Sequence, residues 1–297
     1  MLGSVLALAV AGTAGAVFLW PVGVAPEPIE LSGDAGRGAY LARASGCIAC
    51  HTNFERGGAP LAGGVELATP FGTFYSPNLT TDPENGIGRW SIEDFAMAVR
   101  QGVSPEGEPY YPSFTYPFYG DFSDQDIADL WAAFQTVPPV AEVPPDHEVG
   151  FPFNMRWGLK LWRAAFLRDP ETESVEGRDD VWNRGRELAR GAAHCGACHT
   201  GRNIAGARLE TAFYAGNDDL PGGDHAPSIQ IEHLVEQGWT VDSIVYALET
   251  GITPSGDVFG GGMGEVVQYG TSFLTPEDRL AIATYIMDPG DDLPDPE

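Results

Sequence analysis

The sequence predicts a mostly α-helical chain built from two tandem copies of one small domain, and three observations predict it. Cys47-Ile48-Ala49-Cys50-His51 and Cys195-Gly196-Ala197-Cys198-His199 share one spacing and use every cysteine of the 297-residue chain. Placing Trp90 on Trp239 extends the repeat without a gap, setting Gly102 on Gly251, Pro105 on Pro254 and Gly107 on Gly256. Such self-similarity marks a repeated unit. Each copy also carries the same helix signal, a hydroxyl capping residue followed by apolar positions at helical spacing.

Met1 to Pro26 holds no charged side chain, and Leu2 to Leu19 is apolar or small throughout, ending in Trp20-Pro21. An aromatic residue suits a membrane interface. A cleaved signal peptide wants a basic start and a small-residue cleavage site. The first is missing, and Ala14-Gly15-Ala16 comes before Val17-Phe18-Leu19-Trp20. Residues 1–26 are therefore expected to be an uncleaved membrane anchor, with a signal segment as the alternative.

The first domain is expected over 33–137. Gly36 to Ala44 reads as a helix leading into Cys47, and residues 57–89, rich in Gly, Pro, Thr and Asn, read as loop. Ser91 with Asp94 three residues on is a capping signature for a helix through Arg100. Ser123 opens the last helix, with Ile127, Leu130, Trp131 and Phe134 at helical spacing. Residues 138–180 form a connector, in which five prolines precede an aromatic helix from Phe153 to Arg168. That helix carries Arg156, Lys160, Arg163 and Arg168. It is expected to pack between the domains, a membrane-surface or partner-docking helix being the alternative. The second domain is expected over 181–290. Arg184 to Gly191 parallels the residues before Cys47, Thr240 to Thr250 parallels Ser91 to Gln101, and Thr275 opens a final helix with Leu280, Ile282, Ala283 and Ile286 inward. Residues 291–297 are an acidic tail.

Two thiols three residues apart on one helical turn can each add to a vinyl group of haem, and the histidine that follows then lies beneath the iron as proximal ligand. A disulfide, a thioredoxin-like pair and half a zinc site are the other uses of such cysteines. None of them explains a histidine directly after both pairs. Two covalently bound haem c groups are expected, at Cys47, Cys50 and His51 and at Cys195, Cys198 and His199. The 38 glycines and 24 prolines agree, since short helices with long loops suit a core that haem helps to fill. Covalent haem is attached on the outer face of the cytoplasmic membrane, so the body of the chain is expected on the periplasmic side.

The sixth ligand of a high-potential haem c is usually a methionine sulfur. Met263 stands 64 residues after His199, in the apparent loop Gly260-Gly261-Gly262-Met263-Gly264, and is the expected distal ligand of haem 2. The repeat sets Phe114 at the matching place in the first copy, and phenylalanine cannot ligate iron. Met97, Met155, His147 and nearby tyrosines are the replacements available to haem 1, with Met97 first among them. His147, His194, His225 and His233 have no spacing that singles them out.

The net charge of −26, from 16 basic and 42 acidic residues, excludes nucleic acid as a partner, because phosphate binding needs basic patches. It suits docking onto a basic protein surface. Solvation in a salt-rich habitat is the alternative cause, and the presence of only one lysine, Lys160, is compatible with it.

Thr69-Pro70-Phe71-Gly72-Thr73-Phe74-Tyr75-Ser76-Pro77-Asn78, Gly86-Ile87-Gly88-Arg89-Trp90, Tyr111-Pro112-Ser113-Phe114 and Phe151-Pro152-Phe153-Asn154-Met155-Arg156-Trp157 resemble the cytochrome c subunits of membrane-bound bacterial dehydrogenases. His194-Cys195-Gly196-Ala197-Cys198-His199-Thr200 fits the same family, and the similarity runs from Gly33 to Met287. It implies two tandem class I cytochrome c domains that transfer single electrons, taken from the catalytic subunit of a periplasmic dehydrogenase and passed to quinone or to another cytochrome or oxidase. Many members of the family carry three haem domains, and many have methionine where Phe114 stands. The competing class is a haem enzyme, peroxidase-like or oxidising a sulfur compound, that uses an open sixth site on haem 1.

Overall fold

A computed structural model describes residues 20–168 and 172–290. The expected anchor therefore lies mainly, and the acidic tail wholly, outside the described residues. The described chain is mostly helical with few strands. Its first half holds α1 (Ala35–Ala44), α2 (Cys47–His51), β1 (Glu66–Thr69), β2 (Gly72–Tyr75), α3 (Ile92–Gln101) and α4 (Asp124–Phe134). The connector holds β3 (Glu148–Val149) and α5 (Gly158–Phe166). Then come α6 (Asp180–Glu187), α7 (Ile231–Glu236), α8 (Val241–Thr250), α9 (Gly261–Tyr269) and α10 (Pro276–Met287).

The start of α1 is fixed by Asp34, whose carboxylate accepts the Arg37 N–H at 2.9 Å and so satisfies one of the free donors of a first turn. The helix crosses α4 so closely that a Cβ at Gly38 would lie 1.8 Å from the Asp129 carbonyl oxygen. Arg37 clasps Asp129 at the same crossing, Nε to Oδ2 at 2.7 Å and Nη2 to Oδ1 at 2.9 Å. The second half repeats the device. A Cβ at Gly185 of α6 would lie 1.9 Å from the Ala281 oxygen of α10, and Arg184 clasps Asp278 through two bonds of 2.9 Å. The third helix of each half, α3 and α8, opens with a reciprocal capping box, Ser91 with Asp94 and Thr240 with Ser243. Each ends at a left-handed glycine, Gly102 and Gly251. Apolar faces then close two cores, one with Ile29, Phe95, Ile127, Leu130 and Phe134, the other with Trp182, Leu188, Ile282, Tyr285 and Ile286.

Four features depart from the expectations. Residues 57–89 are not all loop, because β1 and β2 form an antiparallel hairpin with Glu66 opposite Tyr75 and Thr69 opposite Gly72. β3 adds to it, Thr73 pairing with Glu148, so the connector is stitched to the first half. The connector helix is shorter than Phe153–Arg168, since α5 begins only at Gly158 after turns that follow Pro152. Leu280 points outward at 42% exposure, and Arg279 is buried in its place with its guanidinium held by the carbonyls of Thr271, Ser272 and Leu274. Packing also begins before Gly33, with Ile29 in the first core and Gln101 bonded to both backbone groups of Val24.

The two halves touch beside α1 and α2. The Tyr40 hydroxyl donates to Asp278 at 2.6 Å, the Arg43 guanidinium lies 3.8 Å over the Phe273 ring, and Phe54 stacks on Tyr269 at 3.9 Å. α5 touches both: Trp162 Nε1 donates to the Ala205 carbonyl, while Arg163 covers the Tyr116 ring. Among the described residues no helix is long and apolar enough to cross a membrane.

Candidate haem-attachment sites

α2 follows α1 through Ser45-Gly46, where Gly46 turns the chain at φ +67. A single turn then brings Cys47 and Cys50, three apart and so neighbours on one helix surface, next to His51. His51 Nδ1 lies 2.9 Å from the Pro77 carbonyl oxygen. A carbonyl can only accept, so Nδ1 carries the ring proton and Nε2 keeps the lone pair that a metal would take. The second motif has a tighter 3-10 turn, Cys195–Ala197. His199 Nδ1 lies 2.8 Å from the Pro227 carbonyl, with the same consequence for its Nε2.

The scaffold beneath the two histidines is duplicated bond by bond. Gly63 N–H donates to the His51 carbonyl at 2.8 Å, and Gly216 N–H to the His199 carbonyl at 2.9 Å. The following residues, Thr52 and Thr200, are buried, and their hydroxyls accept the N–H groups of Leu61 at 3.0 Å and Tyr214 at 3.1 Å. Leu61 and Tyr214 both adopt positive φ, +60° and +64°, a conformation uncommon outside glycine. A Cβ at Gly63 would stand 2.6 Å from the Pro77 oxygen, and one at Gly216 3.0 Å from the Ala226 oxygen. Glycine is what lets the chain lie against the proline that holds each histidine.

Burial pushes the Cys47 and Cys195 thiols up to about 12. Desolvation raises Cys50 to about 11, with the Cys198 thiol adding to the rise. Such thiols stay protonated at neutral pH, which is the opposite of what a thioredoxin-like pair requires. No two of the four cysteines pair as a disulfide. Among the described residues no three His, Cys, Asp or Glu side chains gather as metal ligands would, so a zinc site lacks its ligand set. Burial also lowers the His51 imidazole to about 4 and lowers His199, keeping both rings in the neutral form that ligates metal.

Haem fits these residues. Each motif offers two thiols and one imidazole whose Nδ1 is already engaged. Between the halves, Arg163 lies over the Tyr116 ring at 5.2 Å, and its buried Nη1 and the buried Tyr116 hydroxyl make no well-formed hydrogen bond, so a carboxylate such as haem carries would suit them.

The other predicted residues are less symmetrical. Met263 is not on a loop: it lies in the first turn of α9, despite the surrounding glycines. Asp224 accepts the Gly262 N–H at 3.1 Å and stands three residues before Pro227, so one segment holds both the start of α9 and His199. Phe114 is half-buried among Tyr110, Tyr116 and Tyr119, at centroid distances of 6.0–6.1 Å. Met97 is half-buried midway along α3, and Met155 sits in the turns before α5. His147 Nδ1 accepts the Tyr75 N–H at 3.2 Å. The neutral ring then carries its proton on Nε2, which leaves no nitrogen for iron.

His194 carried no signal in the sequence, yet it joins the two motifs. It adopts φ +38° directly before Cys195, and its Cε1 lies 3.4 Å from where a Cβ would stand at Gly46, directly before Cys47. Its ring packs 5.8 Å from both Phe118 and Tyr119, and the Tyr119 hydroxyl donates to the Ser45 carbonyl at 2.8 Å. Pro77, Pro227, Thr52 and Thr200 were missed as well. Two of them act through backbone carbonyls, which leave no trace in side-chain patterns.

No family model matches the chain. It is 41% identical over 287 residues to a dihaem c-type cytochrome of Cereibacter sphaeroides, covering 94% of this chain and 95% of that one. It is 39% identical over 259 residues to the cytochrome c subunit of gluconate 2-dehydrogenase from Pantoea cypripedii, and 37% over 253 residues to the fructose dehydrogenase cytochrome subunit of Gluconobacter japonicus. Each of those matches covers 84% of this chain but only 58% and 51% of the relative. The chain thus spans just over half the length of such dehydrogenase subunits.

Proposed function

The chain belongs to the family of dihaem c-type cytochromes, proteins of one-electron transfer with two covalent haem c groups, and from that premise we propose that it is the electron-transfer subunit of a periplasmic dehydrogenase. The observation that carries the reading is the paired geometry of His51 with Pro77 and His199 with Pro227 beside two cysteine pairs. In this reading Cys47 and Cys50 hold haem 1 and Cys195 and Cys198 hold haem 2, with His51 and His199 as proximal ligands. The domains run over 33–137 and 181–290, and residues 1–26 anchor the protein on the periplasmic side of the membrane.

Bound haem iron supplies a reversible one-electron change; the protein supplies everything that makes that change useful. Pro77 and Pro227 hold the imidazoles in one tautomer and orientation, which makes them stronger donors. Met263 would be the residue that supplies a thioether to haem 2, where sulfur would favour the reduced iron and raise the potential. Phe114 offers no ligand at the equivalent place, so haem 1 would be held by His51 alone or take a further ligand from elsewhere, Met97 being the first candidate. That inequality would make haem 2 the exit toward quinone or another cytochrome. The acidic surface steers the chain onto a basic face of its partner.

Purifying the native complex and identifying the chain that co-elutes tests the partner. Denaturation and organic extraction test attachment: both haems should stay on the chain, and Cys195→Ala should remove only one. A preparation matured in a periplasm that holds a single haem would refute the duplication.

A further inference from the structure

The connector presents an apolar surface that the electron-transfer role does not use. On α5, Leu161, Ala164 and Ala165 continue an exposed stripe that begins at Trp157. Phe151, at 80% exposure, and Phe153 precede it. The Phe153 ring stands edge-on to Phe71 at 5.0 Å, and Phe71 in turn lies against Gly206. Ile204, with its side chain wholly exposed, adjoins Ala205, the residue whose carbonyl accepts Trp162 Nε1 at 2.8 Å. The ridge thus draws on both halves of the molecule.

Two observations identify what covers it. Lys160 Nζ donates to the Trp20 carbonyl at 2.7 Å, so the residue at which the uncharged stretch Leu2 to Leu19 ends is tied to the connector helix. Residues 150–168 also contain no acidic side chain, in a chain with 42, and hold four of its 16 basic ones. An acidic surface is repelled by anionic headgroups, whereas a basic, aromatic one is drawn to them.

We propose that the ridge of Phe151, Phe153, Trp157, Leu161 and Ile204 lies on the lipid surface of the membrane, beside the point where the N-terminal segment enters it. The proposal rests on the anchor reading above. Trp157 and Trp20 take the interfacial depth that tryptophan prefers, and Lys160 and Arg168 flank them at headgroup level. A helix with an apolar stripe and basic flanks lies in the plane of the interface in this way. The contact fixes the orientation of both haem-attachment motifs relative to the bilayer, which a single flexible tether would leave free.

The test uses the full chain with both haems in vesicles of phosphatidylcholine and anionic phosphatidylglycerol. A nitroxide is placed on Leu161→Cys, on Ile204→Cys, or on Gln237→Cys at the exposed end of α7, and the relaxation measured without either reagent is subtracted. Collisions with oxygen, which concentrates in lipid, are compared with collisions with a water-soluble nickel chelate. The oxygen-to-nickel ratio should be several-fold higher at positions 161 and 204 than at 237. Equal ratios in protein that sediments with the vesicles would overturn the ridge and leave the anchor standing. Protein that does not sediment refutes the anchor, and the proposal with it. Labels shielded from both reagents would show a protein seated on the ridge, which also overturns the proposal.

Discussion

Replacing Gly38 by alanine should loosen the first half of the molecule, while the same change two residues earlier should not. At Gly38 the new Cβ would meet the Asp129 oxygen at 1.8 Å, its carbonyl carbon at 2.3 Å and the Ala133 Cβ at 2.9 Å. A carbon sits comfortably about 3.3 Å from a carbonyl oxygen, so α1 and α4 must part by ~1 Å or more, given that both nearest atoms are backbone. Overpacking of this kind costs about 1–3 kcal/mol. Parting the helices also stretches the Arg37–Asp129 clasp, and alanine's better helix propensity returns at most ~1 kcal/mol. The net loss is about 1–3 kcal/mol. At Gly36 the new Cβ would meet only the Asp34 carboxylate tip, at 3.1 Å, so that variant should fall between neutral and about 1 kcal/mol more stable. Chemical denaturation of the haem-loaded proteins, followed by far-ultraviolet and Soret circular dichroism, reads both. Equal stabilities for the two variants would refute the close crossing. Gly185→Ala, which would meet Ala281, repeats the experiment in the second half.

Three further outcomes are expected. Met263→Ala should abolish the sulfur–iron charge-transfer band if haem 2 alone has methionine; half a band that Met97→Ala then removes would show a second methionine on haem 1, and an untouched band would sink the Met263 assignment. The Arg37 hydrogen bonds hold the Asp129 carboxyl down at about 2, below its unfolded value near 4. The carboxylate therefore stabilises the fold above about pH 4, and that contribution is lost as pH falls from about 4 towards 2; the stability gap between wild type and Asp129→Asn should close over that range in acid titrations. Association with the partner should slow steeply with added salt in stopped-flow experiments, and a rate indifferent to ionic strength would assign the negative charge to habitat instead.

The helices were legible because their signals are local. Ser91 with Asp94, Ser123 with Asp126 and Thr240 with Ser243 cap where the spacing predicts. The haem motifs were legible because spacing alone defines them. The β1–β2 hairpin was not, since its glycine and threonine content reads as loop and its third strand arrives from residue 148, far along the chain. α9 was hidden by its own glycines, each of which weakens a helix by up to ~1 kcal/mol; the Asp224 carboxylate on the Gly262 N–H is a tertiary contact that no local window contains. Leu280 reads as inward because an apolar residue at helical spacing usually is, yet the core takes Arg279, whose guanidinium is held by three carbonyls and pairs with the Glu249 carboxylate at 3.3 Å.

The duplication is kept in some places and broken in others, and the division follows the chemistry. Helix crossing, arginine–aspartate clasp, buried threonine and proline carbonyl recur in both halves. What differs is the position that the repeat aligns with Met263: a phenylalanine in a cage of tyrosines in the first half, and a methionine at the head of α9 in the second. A carrier built only to hold two equal electrons would gain nothing from that difference. One that must move them in a single direction needs unequal potentials, and in the proposed assignment a change at the sixth ligand would alter the potential without disturbing the covalent attachment. The two halves also meet where His194 lies against Gly46, between the residues that precede Cys195 and Cys47, so any difference between the two proposed sites sits across a direct contact of the two motifs.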